Sequence, residues 1–172
     1  MDRLYSPWRS KYIESFKIHS TEKVEDPCIF CSALKNANDK ERLVVYRGTL
    51  AFVIMNLYPY NSGHMMIVPE RHTSDFGSLT SDEHAECSKL LQTAQQALQD
   101  MSRPHGYNIG MNLGKAGGAG IEDHLHWHIV PRWNGDTNFM PTIADIKMVS
   151  EDMERQWEVL HKFFSTNLPA KG

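Results

Sequence analysis

Three histidines, His124, His126 and His128, occupy alternate positions within five residues of the sequence. On a strand, alternate side chains share a face, so the imidazoles would lie on one side and the intervening apolar residues on the other. Imidazole has a reference pKa of about 6.5, so at neutral pH it is an unprotonated nucleophile without a separate base. An anionic group lying along this row could be attacked by the middle imidazole and held by its neighbours. The pattern therefore predicts covalent chemistry at phosphorus.

The same spacing leaves a catalytic metal open. At about 3.3 Å per residue, His124 and His128 lie about 13 Å apart along a straight strand, whereas zinc needs Zn–N distances of about 2 Å. All three rings cannot reach one ion, but two rings at positions i and i+2 could. A metal-dependent hydrolase is therefore one alternative. A nucleotide-binding regulatory module with little catalysis is another.

Two cysteines, Cys28 and Cys31, have the two-residue spacing of zinc knuckles, in which both thiolates reach one ion. The other two ligands would come from elsewhere in the chain. Thiols without metal and a redox dithiol are the alternatives, although a redox pair normally follows a strand and begins a helix, a pattern this segment does not show. Cys87 falls on the apolar stripe of a predicted helix, and we interpret it as a small core residue.

A glycine-rich connection covers residues 114–120, upstream of the histidines. Such a loop allows backbone N–H groups to converge on an anion without obstruction by side chains. It is neither a P-loop, since it lacks the Gly-Lys-Ser/Thr ending, nor a dinucleotide fingerprint, since a strand follows it. A flexible hairpin loop is the alternative.

Length and charge narrow the class of protein. The chain has 172 residues and a formal net charge of −3, which predicts one globular domain without a general attraction for a nucleic-acid polymer. Its apolar stretches fall short of the about 18 residues that a membrane span requires. Three cysteines, an odd number, without a secretory leader indicate reduced thiols. We therefore expect a cytoplasmic protein that binds neither nucleic-acid polymer nor membrane.

The predicted elements follow an irregular order. Thr80 and Glu83 form a capping box before a long amphipathic helix that ends before Pro104, and residues 150–165 form a final helix. The predicted strands are 43–46, 50–55, 64–68, 107–111 and 124–130. Since strands and helices do not alternate, we predict an α+β domain with a single antiparallel meander sheet, one long helix packed on it and a C-terminal helix. Residues 1–23 are expected to form an arm that packs on another surface, such as a second subunit.

The sequence resembles the histidine-triad superfamily of nucleotide hydrolases and transferases. Residues 124–130 read His-φ-His-φ-His-φ-φ, the motif of that superfamily. The segments at 28–31, 61–72, 112–120 and 133–141 are similar to the zinc-containing bacterial branch that includes diadenosine-tetraphosphate phosphorylases. The resemblance spans residues 27–141 of the single predicted domain, 1–172. It leaves out the arm and the last helix.

The resemblance implies roles for individual residues. His126 would be the nucleophile that forms a nucleotidyl-histidine, and His128 and His64 would hold phosphate oxygens. Asn56 would contact ribose hydroxyls, although a turn residue at a strand end is the alternative, and packing at a strand start is the alternative for His64. The remaining substrate-binding positions are Asn112, Gly118, Ala119 and Gly120.

The zinc-containing relatives imply a structural ion. Its ligands would be Cys28, Cys31, His72 and His124, and four protein ligands leave no position for a reactive water. Members of the family are commonly homodimers, so we also predict a homodimer.

The predicted activity is a nucleotidyl hydrolase or phosphorylase. It would act on dinucleoside polyphosphates or nucleoside phosphoramidates through a covalent intermediate, with an adenine nucleotide as the expected substrate. His128 stands where the uridylyltransferase branch carries glutamine, which argues against sugar-phosphate transfer. The residues do not decide whether water or phosphate resolves the intermediate.

Overall fold

In the computed structural model of the protein, residues 28–137 and 152–169 are described. The predicted arm at 1–23, the last part of the 133–141 segment and the first residues of the predicted final helix lie outside them. The division into a single domain from residue 1 to residue 172 stays a prediction. No helix in the two described ranges is long and apolar enough to cross a membrane.

Five antiparallel strands form one sheet, and three helices accompany it. The strands are β1 (Val44–Arg47), β2 (Ala51–Met55), β3 (Met65–Pro69), β4 (Gly106–Met111) and β5 (Trp127–Arg132). The helices are α1 (Ile29–Lys35), α2 (Ser81–Ser102) and α3 (Met153–Asn167), with one 3₁₀ turn at Phe76–Ser78. The spatial order β1-β2-β3-β5-β4 makes the first three strands a meander and inserts β5 between β3 and β4. The predicted α+β class with an antiparallel sheet is confirmed.

Strands β2 and β3 are buried along their whole length at the centre of the sheet. Their alternate side chains serve two apolar clusters, one on each face. The cluster against α2 and α3 includes Val53, Met55, Met65, Ile67, Leu98 and Leu160. The cluster against α1 includes Phe30, Phe52, Ile54 and Met66. Met66 pairs with His128 across β3 and β5, so the histidine row shares the layer of α1.

Helix α2 begins and ends as the sequence predicts. The Thr80 hydroxyl accepts from the backbone N–H of Glu83, and the Glu83 carboxylate accepts from the backbone N–H of Thr80, which completes the capping box. The helix ends at Ser102, and Arg103 takes the left-handed conformation with φ +46° just before Pro104. Cys87 is 1% exposed on its apolar stripe, and burial raises the pKa of that thiol to about 12, as expected of a core residue.

Helix α3 covers the outer edge of β1. Its first turn is capped by Asp152, whose carboxylate accepts from the backbone N–H of Glu154. Trp157 donates its indole N–H to the Val44 carbonyl at 2.8 Å, and the His161 imidazole donates to the Val45 carbonyl at 2.8 Å. Side chains of α3 therefore satisfy carbonyl groups on the edge strand.

Two expectations about local structure were wrong. Strand β5 begins at Trp127 rather than at residue 124, and it continues to Arg132 rather than ending at residue 130. No helix or strand was predicted for the segment that holds Cys28 and Cys31, yet this segment forms α1. Arg47 stabilises this short helix from β1, because its guanidinium donates to three carbonyl groups at the C-terminal end of α1, those of Ala33, Leu34 and Asn36.

Candidate functional site

His126 is buried with one nitrogen fixed by the backbone. Its Nδ1–H donates to the carbonyl oxygen of His124 at 2.8 Å, and because a carbonyl only accepts, the lone pair of the neutral ring lies on Nε2. None of the described residues hydrogen-bonds that Nε2. Burial against Phe30, with ring centroids 5.1 Å apart, accompanies a lowered pKa for His126, since desolvation disfavours the charged form. The ring of His126 is therefore neutral at neutral pH, with a lone pair on Nε2.

His64 and His128 form a hydrogen-bonded pair beside His126. The backbone N–H of Tyr60 donates to His64 Nδ1 at 3.2 Å, so the neutral His64 ring carries its proton on Nε2. That Nε2–H donates to His128 Nδ1 at 3.0 Å, which places the proton of neutral His128 on its own Nε2. The rings of His126 and His128 are 4.9 Å apart. The His126 ring, with a lone pair on Nε2, therefore lies next to the His128 ring, with an N–H donor on Nε2.

The turn before β3 is held by buried amides. Gly63 has φ +81°, and a Cβ there would meet Leu98 Cδ2 at 2.7 Å, so the turn requires glycine. Its N–H donates to the buried Gln156 side chain of α3 at 2.7 Å. Asn61 accepts the backbone N–H of His64 through its carbonyl, and its side-chain amide donates to the Pro131 carbonyl at 2.9 Å. These contacts position His64 from both α3 and β5.

Asp136 connects the turn before β3 to strands β4 and β5. Its carboxylate accepts two hydrogen bonds from Arg132, at 2.6 and 2.9 Å, and one from the Asn61 amide at 2.7 Å. These donors hold the pKa of Asp136 far below its usual range. Arg132 also donates to the Asn108 side chain on β4. The Asp136 carboxylate is therefore ionised in the folded protein at neutral pH. Its hydrogen bonds connect the end of β5 to the turn before His64.

Asn56 is a turn residue at the end of β2 that also lies close to His64. Its side-chain oxygen accepts from the backbone N–H of Tyr58 at 3.0 Å, as in a turn, while its amide nitrogen lies 3.3 Å from His64 Nδ1. The structure therefore places Asn56 next to the histidine row, at the end of β2.

The glycine-rich loop differs from the expectation in one respect. The N–H of Gly118 donates to the Lys115 carbonyl and that of Ala119 to the Gly114 carbonyl, so both N–H groups are used inside the loop. Asn112 donates its side-chain amide to the Gly118 carbonyl at 3.3 Å, which fixes the loop where β4 ends. Binding of an anion by these two N–H groups would require the loop to release or share its internal bonds. Gly120, the last predicted position in the loop, is exposed.

The four predicted zinc ligands come together in the structure. Their ligand atoms, on Cys28, Cys31, His72 and His124, all lie within 4.8 Å of one another. Cys28 Sγ is 3.3 Å from His124 Nδ1, and Cys31 Sγ is 3.3 Å from His72 Nδ1. A tetrahedral zinc with ordinary Zn–S and Zn–N bonds separates a sulfur from a nitrogen by about 3.6 Å. The spacing therefore fits one zinc ion.

The second nitrogen of His124 supports the same fit. Its Nε2–H donates to the Pro69 carbonyl at 2.8 Å, which leaves the Nδ1 lone pair facing the two sulfurs. A backbone acceptor on the non-ligating nitrogen is typical of histidines that bind metal. Of the three alternate histidines, only His124 belongs to the cluster. Because the donor set already supplies four protein ligands, it does not suit an ion that must also bind a water.

Comparison with known proteins identifies the family. The model of the HIT domain matches residues 37–135. The chain belongs to the HIT domain family. An "AP-4-A phosphorylase" of Mycobacterium tuberculosis is 39% identical to this HIT protein over 152 residues, covering 88% of this chain and 78% of the relative.

Solved structures show the same fold. A zinc-bound histidine triad family protein from Mycobacterium smegmatis has a TM-score of 0.64 at 24% identity, covering 81% of this chain and 94% of that one. A diadenosine triphosphate hydrolase of Plasmodium falciparum, solved with Cyclomarin A, has a TM-score of 0.58 at 16% identity, covering 92% and 98%. The histidine-triad resemblance is thus confirmed, and the relatives agree with the predicted class of enzyme, a nucleotidyl hydrolase or phosphorylase.

An ion pair between Arg71 and the buried Glu83 anchors the turn that carries His72 in this HIT protein. Arg71 donates to both oxygens of the Glu83 carboxylate, at 2.9 and 2.8 Å, and also to the Ser78 carbonyl. Together with the backbone N–H of Thr80, Arg71 lowers the pKa of Glu83 to about 2. The capping box of α2 therefore also anchors the turn that carries His72.

Three supporting residues were missed by sequence reasoning. Asn61 and Asp136 fall inside segments that carry the family resemblance, but the sequence did not predict the contacts that their side chains make. Gln156 lies on the apolar stripe of α3, three residues after Met153 and four before Leu160. A polar residue at such a position was the available signal of a buried hydrogen bond.

Proposed function

We propose that this HIT protein is a nucleotidyl phosphorylase of dinucleoside polyphosphates, with His126 as its nucleophile. The observation that carries the proposal is the 2.8 Å bond from His126 Nδ1–H to the His124 carbonyl, which sets the Nε2 lone pair for attack. That lone pair forms an N–P bond to the α-phosphorus, and the bridging P–O bond breaks. The polyphosphate leaves with the electron pair.

The second half of the reaction restores the histidine. An oxygen of inorganic phosphate attacks the nucleotidyl group, the N–P bond breaks, and the electron pair returns to His126 Nε2. The product is a nucleoside diphosphate. The choice of phosphate over water is supported by the 39% identity to the M. tuberculosis protein named AP-4-A phosphorylase. The same name supports an adenine nucleotide as the substrate.

The neighbouring residues bind and orient in this proposal. His128 presents its Nε2–H to phosphate oxygens, and His64 fixes that orientation through the 3.0 Å bond. Asn56 contacts the ribose, supported by its place beside His64 at the end of β2. The remaining phosphate contacts are assigned to the loop residues Asn112, Gly118, Ala119 and Gly120, and the N–H groups of Gly118 and Ala119 would release or share their bonds inside the loop.

Zinc has a structural role in the proposal. Cys28, Cys31, His72 and His124 would hold the ion, which would supply a cross-link rather than a reacting group. Zinc binding requires deprotonated thiols, and all three cysteines are free of disulfides in the structure. This supports a reducing compartment, the cytoplasm.

The proposed assembly is a homodimer formed through β4. This strand is an edge of the sheet, and its Ile109 side chain is 52% exposed. The opposite edge, β1, has carbonyl groups bonded by α3. An exposed edge strand pairs readily with another strand, and a second copy of the chain offers the same edge.

Product analysis tests the activity. Incubation with diadenosine tetraphosphate and phosphate is expected to give ADP and ATP. AMP and ATP in the presence of phosphate would instead identify a hydrolase. Binding without turnover would favour the regulatory alternative.

Trapping of the intermediate tests the nucleophile. Without phosphate, denaturation in alkali, where an N–P bond survives, is expected to leave one nucleotide on His126. The His126→Ala variant should carry none, while His105→Ala, at an exposed histidine before β4, should carry the same amount as the unaltered protein. An adduct that persists in His126→Ala contradicts the assignment.

A further inference from the structure

Tyr60 contacts His64 in two independent ways. Its backbone N–H donates to His64 Nδ1 at 3.2 Å, and its ring stacks on the His64 ring with centroids 4.8 Å apart and an interplanar angle of 24°. The Tyr60 ring is also 6.2 Å from the ring of His128. At 40% exposure the tyrosine lies at the protein surface, whereas His64 is 1% exposed. An exposed aromatic ring therefore covers the outer face of a buried histidine.

We propose that Tyr60 is a positioning residue that directs the His128 Nε2–H at the bridging oxygen of the leaving group. The inference rests on the proposed function. Tyr60 holds the plane of the His64 ring by stacking and its tautomer by the backbone bond. The His64 Nε2–H then helps to orient His128 through a hydrogen bond of 3.0 Å. Loss of the stacked ring leaves the tautomer of His64 unchanged but removes one contact that holds the plane of its ring.

The hydrogen bond acts on charge that develops during the reaction. As the N–P bond to His126 forms and the P–O bond breaks, the leaving oxygen takes the electron pair and becomes negative. The His128 N–H donates to that oxygen without transferring its proton, so no histidine changes protonation state. A donor fixed in place stabilises the transition state most for leaving groups that bear the most charge. Tyr60 should therefore matter most for poor leaving groups.

A series of aryl esters of AMP with ring substituents of graded electron demand tests this dependence. For Tyr60→Leu, single-turnover adduct formation should slow by about three- to tenfold with the least activated ester, the range that one aromatic contact supports, and by less than about twofold with the most activated ester. The plot of log rate against leaving-group pKa should therefore become steeper. Tyr60→Phe, which keeps the ring, should retain the slope of the unaltered protein.

A matched control lies in the same turn. Leu57 is 50% exposed and has no aromatic ring to stack on a histidine, so Leu57→Ala should leave the slope unchanged. An equal loss with every ester in Tyr60→Leu, or a steeper slope in Tyr60→Phe, would overturn the positioning role. Failure of the proposed function is a separate result, because the unaltered protein would then form no adduct from any ester.

Discussion

The carbonyl oxygen of His124 accepts the Nδ1–H of His126 at 2.8 Å, while the ring of His124 faces the two cysteines. His124 therefore belongs to the cysteine-histidine cluster and also fixes the ring of His126. The ring of His124 is fixed on its other side by the Pro69 carbonyl, at the end of β3. Movement of the cluster would shift the acceptor that sets the tautomer of His126.

Zinc content is the first quantity to measure. Protein purified without chelators is expected to carry one zinc per chain, and Cys28→Ser should lose it and lower the melting temperature by about 10 °C or more, since structural zinc contributes directly to folding. Cys87→Ala, which removes a buried thiol outside the cluster, should keep its zinc. Full zinc occupancy in Cys28→Ser would contradict the ligand assignment.

Stability should depend on pH through Glu83. Its folded-state pKa is lowered to about 2 by Arg71, so the stabilisation is present above pH 4.5 and is lost as the pH falls toward about 2. Glu83→Gln should lower the free energy of unfolding at pH 7 by about 1 to 2 kcal/mol, with a smaller difference at pH 3. Urea unfolding at both pH values measures this. Glu122→Gln, at an exposed site, should show no such dependence, and a pH-independent loss in Glu83→Gln would refute the ion-pair explanation.

The turn at Gly63 should not accept a side chain. Gly63→Ala adds a Cβ at φ +81° that meets Leu98, so we expect a loss of about 2 kcal/mol or more in unfolding free energy. Because the next residue is His64, the folded fraction should also show a lower kcat. Gly106→Ala, where a Cβ meets nothing within 4 Å, is the control and should change stability by less than about 1 kcal/mol. Equal stabilities of the two variants would show that the turn tolerates rearrangement.

Association should depend on β4. Sedimentation at micromolar concentration is expected to show a dimer, and Ile109→Lys should convert it to a monomer by placing a charge on the edge strand. Val159→Lys, at a residue of α3 that is 43% exposed, should remain dimeric. A dimer that survives Ile109→Lys would place the interface on another surface.

Features with a local cause were predictable from the sequence. The capping box at Thr80 and Glu83 lies within four residues and marks the start of α2. The four residues of the cluster lie together, as the family resemblance implied, whereas spacing alone indicated only the cysteine pair. Alternation of polar and apolar residues placed His128 and Trp127 on opposite faces, as the apolar packing of Trp127 shows.

Features with a distant cause were not predictable. Helix α1 has seven residues, too few to be stable alone, and its C-terminal carbonyls are bonded by Arg47, 11 to 14 positions further along the chain. The contact from Gln156 to Gly63 spans 93 positions, and no local pattern records such a pairing. The two internal bonds of the glycine-rich loop depend on its detailed backbone path, which composition does not specify.

The capping of β1 by Trp157 and His161 limits how this protein can grow by strand addition. A sheet with two open margins can add copies at both ends and continue into a fibre. With one margin closed by its own helix, a sheet that joins a second copy through β4 has used its last open margin. In the proposed dimer, strand addition would therefore stop at two copies, because α3 closes the other edge of each sheet.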